Sequence, residues 1–129
     1  MAVIDVACAI ISVDEKILVV QRSATMSQPL KWEFPGGKIE AGESDIDCVK
    51  REIKEELNLE IKLVNRLSPS QYSYPQITIN LIPFTAIVLS GDILLKEHAQ
   101  FKILDREQLS MLDWAAADSP ILNEFLKYE

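Results

Sequence analysis

Apolar and polar positions along the chain fall into short blocks whose period changes several times. Val3–Val13 is an apolar, β-branched run, Asp14-Glu15 interrupts it, and Ile17–Val20 resumes it, which is the pattern of a hairpin. Arg22–Lys31, with Ser23, Ser27 and Pro29, reads as a loop. Trp32–Phe34 is a short aromatic strand that Pro35-Gly36-Gly37 is expected to end in a tight turn. Glu60–Leu67 and Ile77–Leu89 predict further strands joined through a tyrosine-rich segment, Gln71–Pro75, and Phe101–Leu104 predicts one more. Asp105–Leu109 allows a single short helix. Ser119–Tyr128 predicts a better one, with Ser119 as its cap, Pro120 in its first turn, and Ile121, Leu122, Phe125 and Leu126 on one stripe.

The best helical pattern lies between Ser44 and Leu57. Ser44 with Asp47 three residues on resembles a capping box, Asp45 suits the positive helix end, and Asn58 stands where a left-handed cap belongs. At about 100° per residue, Ile46, Val49, Ile53 and Leu57 share one apolar stripe. Glu52, Glu55 and Glu56 fall beside that stripe, within an arc of about 100°. Lys50, Lys54 and Asp47 point elsewhere, toward solvent.

Composition narrows the class. The 129 residues, without a repeat, low-complexity tract or linker, predict one domain spanning 1–129. An apolar share of 48% and a charged share of 26% exclude a disordered chain, a fibre and a disulfide miniprotein. Thirteen Lys and Arg against 20 Asp and Glu give −7, so a basic surface that wraps a nucleic-acid duplex is not expected. Nine acids and four bases lie between Glu33 and Glu60, a local balance of −5 that accounts for most of the excess. Cys8 and Cys48 read as core residues of a reducing compartment. The start of the chain lacks a basic region, Asp5 interrupts its apolar run, and Ile77–Leu89 is too short to span a bilayer. A cytoplasmic location away from membranes is therefore expected.

Carboxylates at i, i+3 and i+4 repel by roughly 0.2–0.5 kcal/mol per pair on an exposed helix. A solvated face remains one reading of Glu52, Glu55 and Glu56. Their clustering beside a buried stripe gives another, a cleft border. Oxygen-only ligands of this kind suit Mg²⁺ or Mn²⁺ rather than zinc, and the only histidine, His98, offers no competing set.

The chain reads Gly37, five residues, Glu43, seven residues, then Arg51-Glu52-Ile53-Lys54-Glu55-Glu56-Leu57-Asn58-Leu59. This resembles the Nudix box, G-x5-E-x7-R-E-U-x-E-E-x-G-U, where U is a bulky aliphatic residue. One defining position departs from it: Asn58 replaces the last glycine, and Asn tolerates the left-handed backbone such a turn needs. Upstream, Lys31–Glu40 is similar to the approach to the box in MutT-like nucleoside triphosphate pyrophosphohydrolases. Glu97-His98 and Ala115–Leu122 resemble the bacterial CTP pyrophosphohydrolase branch. The resemblance implies an α/β/α sandwich around a mixed sheet. It also implies Mg²⁺-dependent hydrolysis, with Mn²⁺ as a substitute, of a nucleoside triphosphate to the monophosphate and pyrophosphate. Its partner is then a small nucleotide rather than a nucleic acid or membrane, and the protein a monomer or homodimer.

Carried over by position, the resemblance makes Glu52 and Glu56 metal ligands, Glu55 a ligand or general base, and the Gly36 carbonyl a further ligand. Arg51 and Glu43 would pair to hold the loop against the helix. Lys38 and Arg22 are candidates for phosphate contact, each with a plain surface cation as its alternative. Phe34 would stack on a base or fill core. Tyr72 and Tyr74 would line a pocket or face a half-buried surface. Glu97 is placed as an extra metal-binding or basic glutamate, and His98 as a structural residue. Asp118, taken as free of capping duty, would read the base, since a carboxylate can accept from a cytosine amine or a guanine N–H edge. Cytosine nucleotides and oxidised guanine nucleotides, CTP and 8-oxo-dGTP, lead the substrate expectations. ADP-ribose, a dinucleoside polyphosphate, or a non-catalytic nucleotide-binding module are the alternatives.

Overall fold

In the computed structural model, which describes residues 2–128, strands β1 (Val3–Val13) and β2 (Lys16–Gln21) form the expected antiparallel hairpin. Asp14 (φ 50°) and Glu15 (φ 66°) are both left-handed, the two-residue turn whose twist matches that of its strands. Strands β3 (Trp32–Glu33), β4 (Gly36–Lys38), β5 (Glu60–Arg66), β6 (Ser70–Tyr74), β7 (Ile77–Ser90) and β8 (Gln100–Leu104) complete one eight-stranded sheet. Its path is β3-β2-β1-β7-β5, with β4 on β1, β6 on β7 and β8 on β2. Among the strand pairings of the described residues β1–β7 alone is parallel, with one isolated parallel bridge between Trp32 and Trp114, so the sheet is mixed.

Period two along β1 serves two cores. Ala7, Ala9 and Ile11 face the layer holding helix α1 (Asp45–Leu57), where Val49, Ile53 and Leu57 are buried. Cys8 and Ile10 face helices α2 (Arg106–Leu109) and α3 (Ser119–Tyr128), where Leu109, Ile121, Leu122 and Phe125 are buried. Helices on both sides of a mixed sheet make the α/β/α architecture. Burying an aliphatic side chain contributes about 1.5–3 kcal/mol, so a β1 filled on both faces is the centre of the fold.

Four local expectations need correction. Pro35-Gly36-Gly37 makes no tight turn, because Gly36 and Gly37 pair with Cys8 and Ala7 as strand β4. Glycine is required there by close approach rather than by backbone angle: a Cβ on Gly36 would overlap the Ala7 carbonyl. The tyrosine-rich segment is itself strand β6, which pairs with β7 through Tyr74↔Ile77 around Pro75-Gln76. On α1, Ile46 is 41% exposed and Cys48 is buried instead, its Sγ 3.4 Å from the carbonyls of Gly37 and Lys38. Ser119 does not cap α3. The Asp118 carbonyl accepts the Leu122 N–H at 2.9 Å, so Asp118 holds the cap position and Ser119 begins the first turn.

Candidate active site

Helix α1 is fixed at both ends. Ser44 Oγ accepts the Asp47 N–H at 3.0 Å, and Asn58 closes the C-terminus with φ 62° while its side-chain amide donates to the Asp92 carbonyl at 3.1 Å. Between those caps, Glu52 and Glu56 lie one turn apart and face β4. Gly37 presses on Glu52 so closely that a Cβ there would overlap the Glu52 carboxyl carbon. The flanking bonds Ala9 N–H to Pro35 O and Ile39 N–H to Asp5 O fix which β4 residues bond to β1. In an antiparallel ladder such pairs alternate, so the Gly36 carbonyl faces away from β1 and is free for another partner.

Glu56, Gly36, Gly37, Lys38 and Glu97 border a cavity of about 350 Å³. Glu56 Oε2 is buried without a hydrogen-bond partner. Burial, then the charge of Glu52, and further the charges of Glu33 and Glu97 push the Glu56 carboxyl up to about 9. A bound cation would oppose these contributions with its own charge and favour the ionised carboxylate. The partnerless oxygen, the surrounding carboxylates and the oxygen-only donor set fit Mg²⁺ or Mn²⁺, with Glu52, Glu56, Glu97 and the Gly36 carbonyl as the groups able to hold it. Among the described residues, no three His, Cys, Asp or Glu side chains already converge as a ligand group.

Arg51 explains part of that dispersal. Its Nε and Nη2 donate to Glu43 at 2.6 and 2.9 Å, while Nη1 donates to Glu52 at 2.9 Å and to Glu55 at 3.1 Å. The bidentate Arg51 guanidinium holds the Glu43 carboxyl down at about 2. Arg51 and Glu43 thus tie the loop before α1 to the middle of the helix. Glu55, its side chain 59% exposed, points to Arg51 and does not border the cavity.

A second compartment of about 370 Å³ opens beside the acidic one, lined by Tyr74, Pro75, Ile77, Ala115 and Ala117. The two share Val6, Arg22, Glu33, Ile79, Leu81 and Asp118 as walls. Asp118 is only 4% exposed, its Oδ2 accepts the Phe34 N–H at 2.9 Å, and burial followed by the Glu33 charge pushes its carboxyl well above the usual range. It is no solvated aspartate. Phe34 is buried against Trp114, ring centroids 4.8 Å apart, yet also reaches the wall of the acidic compartment. Tyr74 borders the apolar compartment and its hydroxyl accepts the Ala117 N–H at 3.1 Å. Tyr72 lies outside it, over the Tyr74 ring and 42% exposed.

Arg22 is committed within the protein. Its Nε and Nη2 hold Ser27 through the carbonyl (2.6 Å) and hydroxyl (3.1 Å), and Nη1 pairs with Glu33 at 2.9 Å. The other Glu33 oxygen meets His98 Nε2 at 2.9 Å. Sequence reasoning gave Glu33 no role, although it borders both compartments. A lone acid between two buried aromatics in a short strand is the signal that could have found it.

A cleft with an acidic, cation-ready end and an apolar end suits a polyphosphate joined to a base. The NUDIX domain model matches residues 1–125 of the chain. Over 126 residues the chain is 33% identical to the CTP pyrophosphohydrolase of Escherichia coli K12, covering 98% of this chain and 93% of that protein. It is 28% identical to the 8-oxo-dGTP diphosphatase of the same organism, over 84% of each. The solution structure of a MutT protein of the Nudix hydrolase family from methicillin-resistant Staphylococcus aureus is 36% identical, with a TM-score of 0.80 over 100% of both chains.

Proposed function

This chain belongs to the NUDIX domain family, and on that premise we propose that it converts a nucleoside triphosphate and water to the nucleoside monophosphate and pyrophosphate. At the coarser level it is a Nudix pyrophosphohydrolase, acting on phosphoric anhydride bonds. The preferred nucleotide in this reading carries cytosine or an oxidised guanine, and the work is clean-up of the nucleotide pool. The relatives' substrates, CTP and 8-oxo-dGTP, support that range. The observation that carries the reading is the buried, partnerless Glu56 oxygen in an acidic compartment that opens directly onto an apolar one walled by Asp118.

Mg²⁺, held by Glu52, Glu56, Glu97 and the Gly36 carbonyl, would supply positive charge to the phosphate oxygens and lower the pKa of the attacking water. The chain's own groups do the rest. Glu52 and Glu56 offer their carboxyl oxygens to the cation, whose positive charge then faces the phosphates, which lets an acidic protein bind a polyanion. Glu55, at the solvent end of the same helical arc, keeps the general-base role that the resemblance gives it only by leaving Arg51 and turning toward the cavity. Lys38 contributes a cation at the mouth of the acidic compartment for a terminal phosphate. Arg22 acts by fixing Glu33 and the Ser27 loop rather than by gripping phosphate itself. Asp118 meets the base edge, Tyr74 closes the apolar end beside it, and the Phe34 ring stands at the wall of the acidic compartment; Tyr72 supports Tyr74 from outside. The whole of 1–129 is taken as one catalytic domain, monomeric or homodimeric and without a nucleic-acid partner. The free, buried Cys8 and Cys48 fit a reducing, cytoplasmic setting, and among the described residues no helix is long and apolar enough to cross a membrane.

The test is hydrolysis of CTP, a 5-substituted dCTP, 8-oxo-dGTP and ADP-ribose, with the products of each separated by ion exchange. Monophosphate plus pyrophosphate from a triphosphate, dependent on Mg²⁺, is expected. Nucleoside diphosphate plus orthophosphate would refute the stated products. Turnover of ADP-ribose alone would move the chain to another Nudix substrate class, and nucleotide binding without turnover would make it a binding module.

A further inference from the structure

The segment between β7 and β8, residues 91–99, has no regular secondary structure, yet it delivers Glu97 to the acidic compartment. Its ends are tied down. The Leu94 N–H donates to the Leu57 carbonyl at 3.1 Å, and the Ala99 N–H donates to the Gln21 carbonyl at 2.9 Å. Ile93 and Leu95 rest on the core under α1. Between Leu95 and Ala99 the situation changes: Lys96 and Glu97 are exposed, and His98 is the residue that turns inward, its side chain 3% exposed. Its Nε2 meets Glu33 Oε2 at 2.9 Å, and Glu33 is held in turn by Arg22.

His98 is a poor choice for filling space. Its Nδ1 is buried without a partner, which an aliphatic side chain of similar volume would avoid. An imidazole retained under that penalty is explained by its other nitrogen, the one bond that links this stretch of loop to β3. We infer that His98 is a positioning residue: through Glu33 it pins the 91–99 segment so that the Glu97 carboxylate faces Glu56 across the acidic compartment. The inference rests on the function proposed above for the purpose of Glu97, but the pin itself is a property of the metal-free protein.

Hydrogen exchange on the metal-free chain therefore separates the two. His98→Leu fills the site and removes the donor, so the Ala99 amide should exchange at least tenfold faster while amides of α1 and β1 are unchanged. His98→Gln keeps an N–H donor in reach of Glu33 and should restore protection. With Mg²⁺ and the preferred triphosphate, His98→Leu should lower kcat about tenfold and change KM less than twofold, and His98→Gln should recover most of the loss. In a Glu97→Ala background, His98→Leu should cost nothing further, because the group it places is gone. Unchanged exchange in His98→Leu overturns the pin. Losses that multiply in the double variant overturn the purpose assigned to it, as does a His98→Gln variant as slow as His98→Leu. If no nucleotide is hydrolysed by the wild type, the proposed function fails while the exchange result still judges the pin.

Discussion

Asp118 carries two jobs that a pair of substitutions can separate. Its carboxyl accepts the buried Phe34 N–H at 2.9 Å, and it also walls both compartments of the cleft. Asp118→Ala strips the acceptor from a buried backbone donor, which costs about 1–3 kcal/mol. For a domain of this size that corresponds to a drop of roughly 4–12 °C in Tm, read by circular dichroism. Asp118→Asn keeps an acceptor for Phe34 in a side chain of the same shape, and burial, which pushes the Asp118 carboxyl up, favours an uncharged group at this position. Tm should then stay within about 2 °C. The base contact predicts a second, independent signature. A good polar contact to a base is worth about 1–3 kcal/mol of discrimination, and each 1.36 kcal/mol is a factor of ten. Asp118→Ala should therefore lower the ratio of kcat/KM between the best and second-best nucleotide by roughly ten- to a hundredfold, measured well below its Tm, whereas Asp118→Asn retains most of it. A lowered Tm with an unchanged ratio would show that Asp118 supports Phe34 and does not read the base. An unchanged Tm in Asp118→Ala would refute the hydrogen-bond reasoning itself.

Four further outcomes follow from the acidic end. Glu56→Gln should cut kcat about a hundredfold or more at saturating Mg²⁺. Without metal, wild-type Glu56 binds its proton more tightly folded than unfolded, so its contribution to stability is present below pH 4.5 and is lost as pH rises to about 9. Urea unfolding should show the stability difference between Glu56→Gln and wild type growing across that window, and no growth would contradict the burial of this carboxyl. Gly37→Ala should displace Glu52, since the new methyl occupies its carboxyl position; calorimetric Mn²⁺ affinity should fall at least tenfold, and unaltered affinity would remove Glu52 from the site. Glu43, held near 2 by Arg51, contributes stability that is present above about pH 4.5 and lost as pH falls toward 2, so Arg51→Ala should flatten the acid limb of the stability curve.

Local chemistry was enough for much of this molecule. The Asp14-Glu15 hairpin, the Ser44 and Asn58 ends of α1 and the arc of Glu52, Glu55 and Glu56 each depend on residues within a turn or two of one another, and a one-dimensional pattern holds such information. So does the box that marks the family. Other features were decided by contacts between segments far apart in sequence. Gly36-Gly37 looks like a turn until β1 is laid beside it and the Ala7 carbonyl and the Glu52 carboxyl are seen to exclude any side chain. Ile46 yields its expected burial to Cys48 because β4, not periodicity, sets how α1 is rolled. Asp118 reads as a surface acid next to a helix start, yet it is sealed under Phe34, 84 residues away. Glu33, which joins Arg22 to His98, carries no motif at all. A pattern records which residues can be apolar together; which polar groups must share one buried space is set only when distant strands close over them.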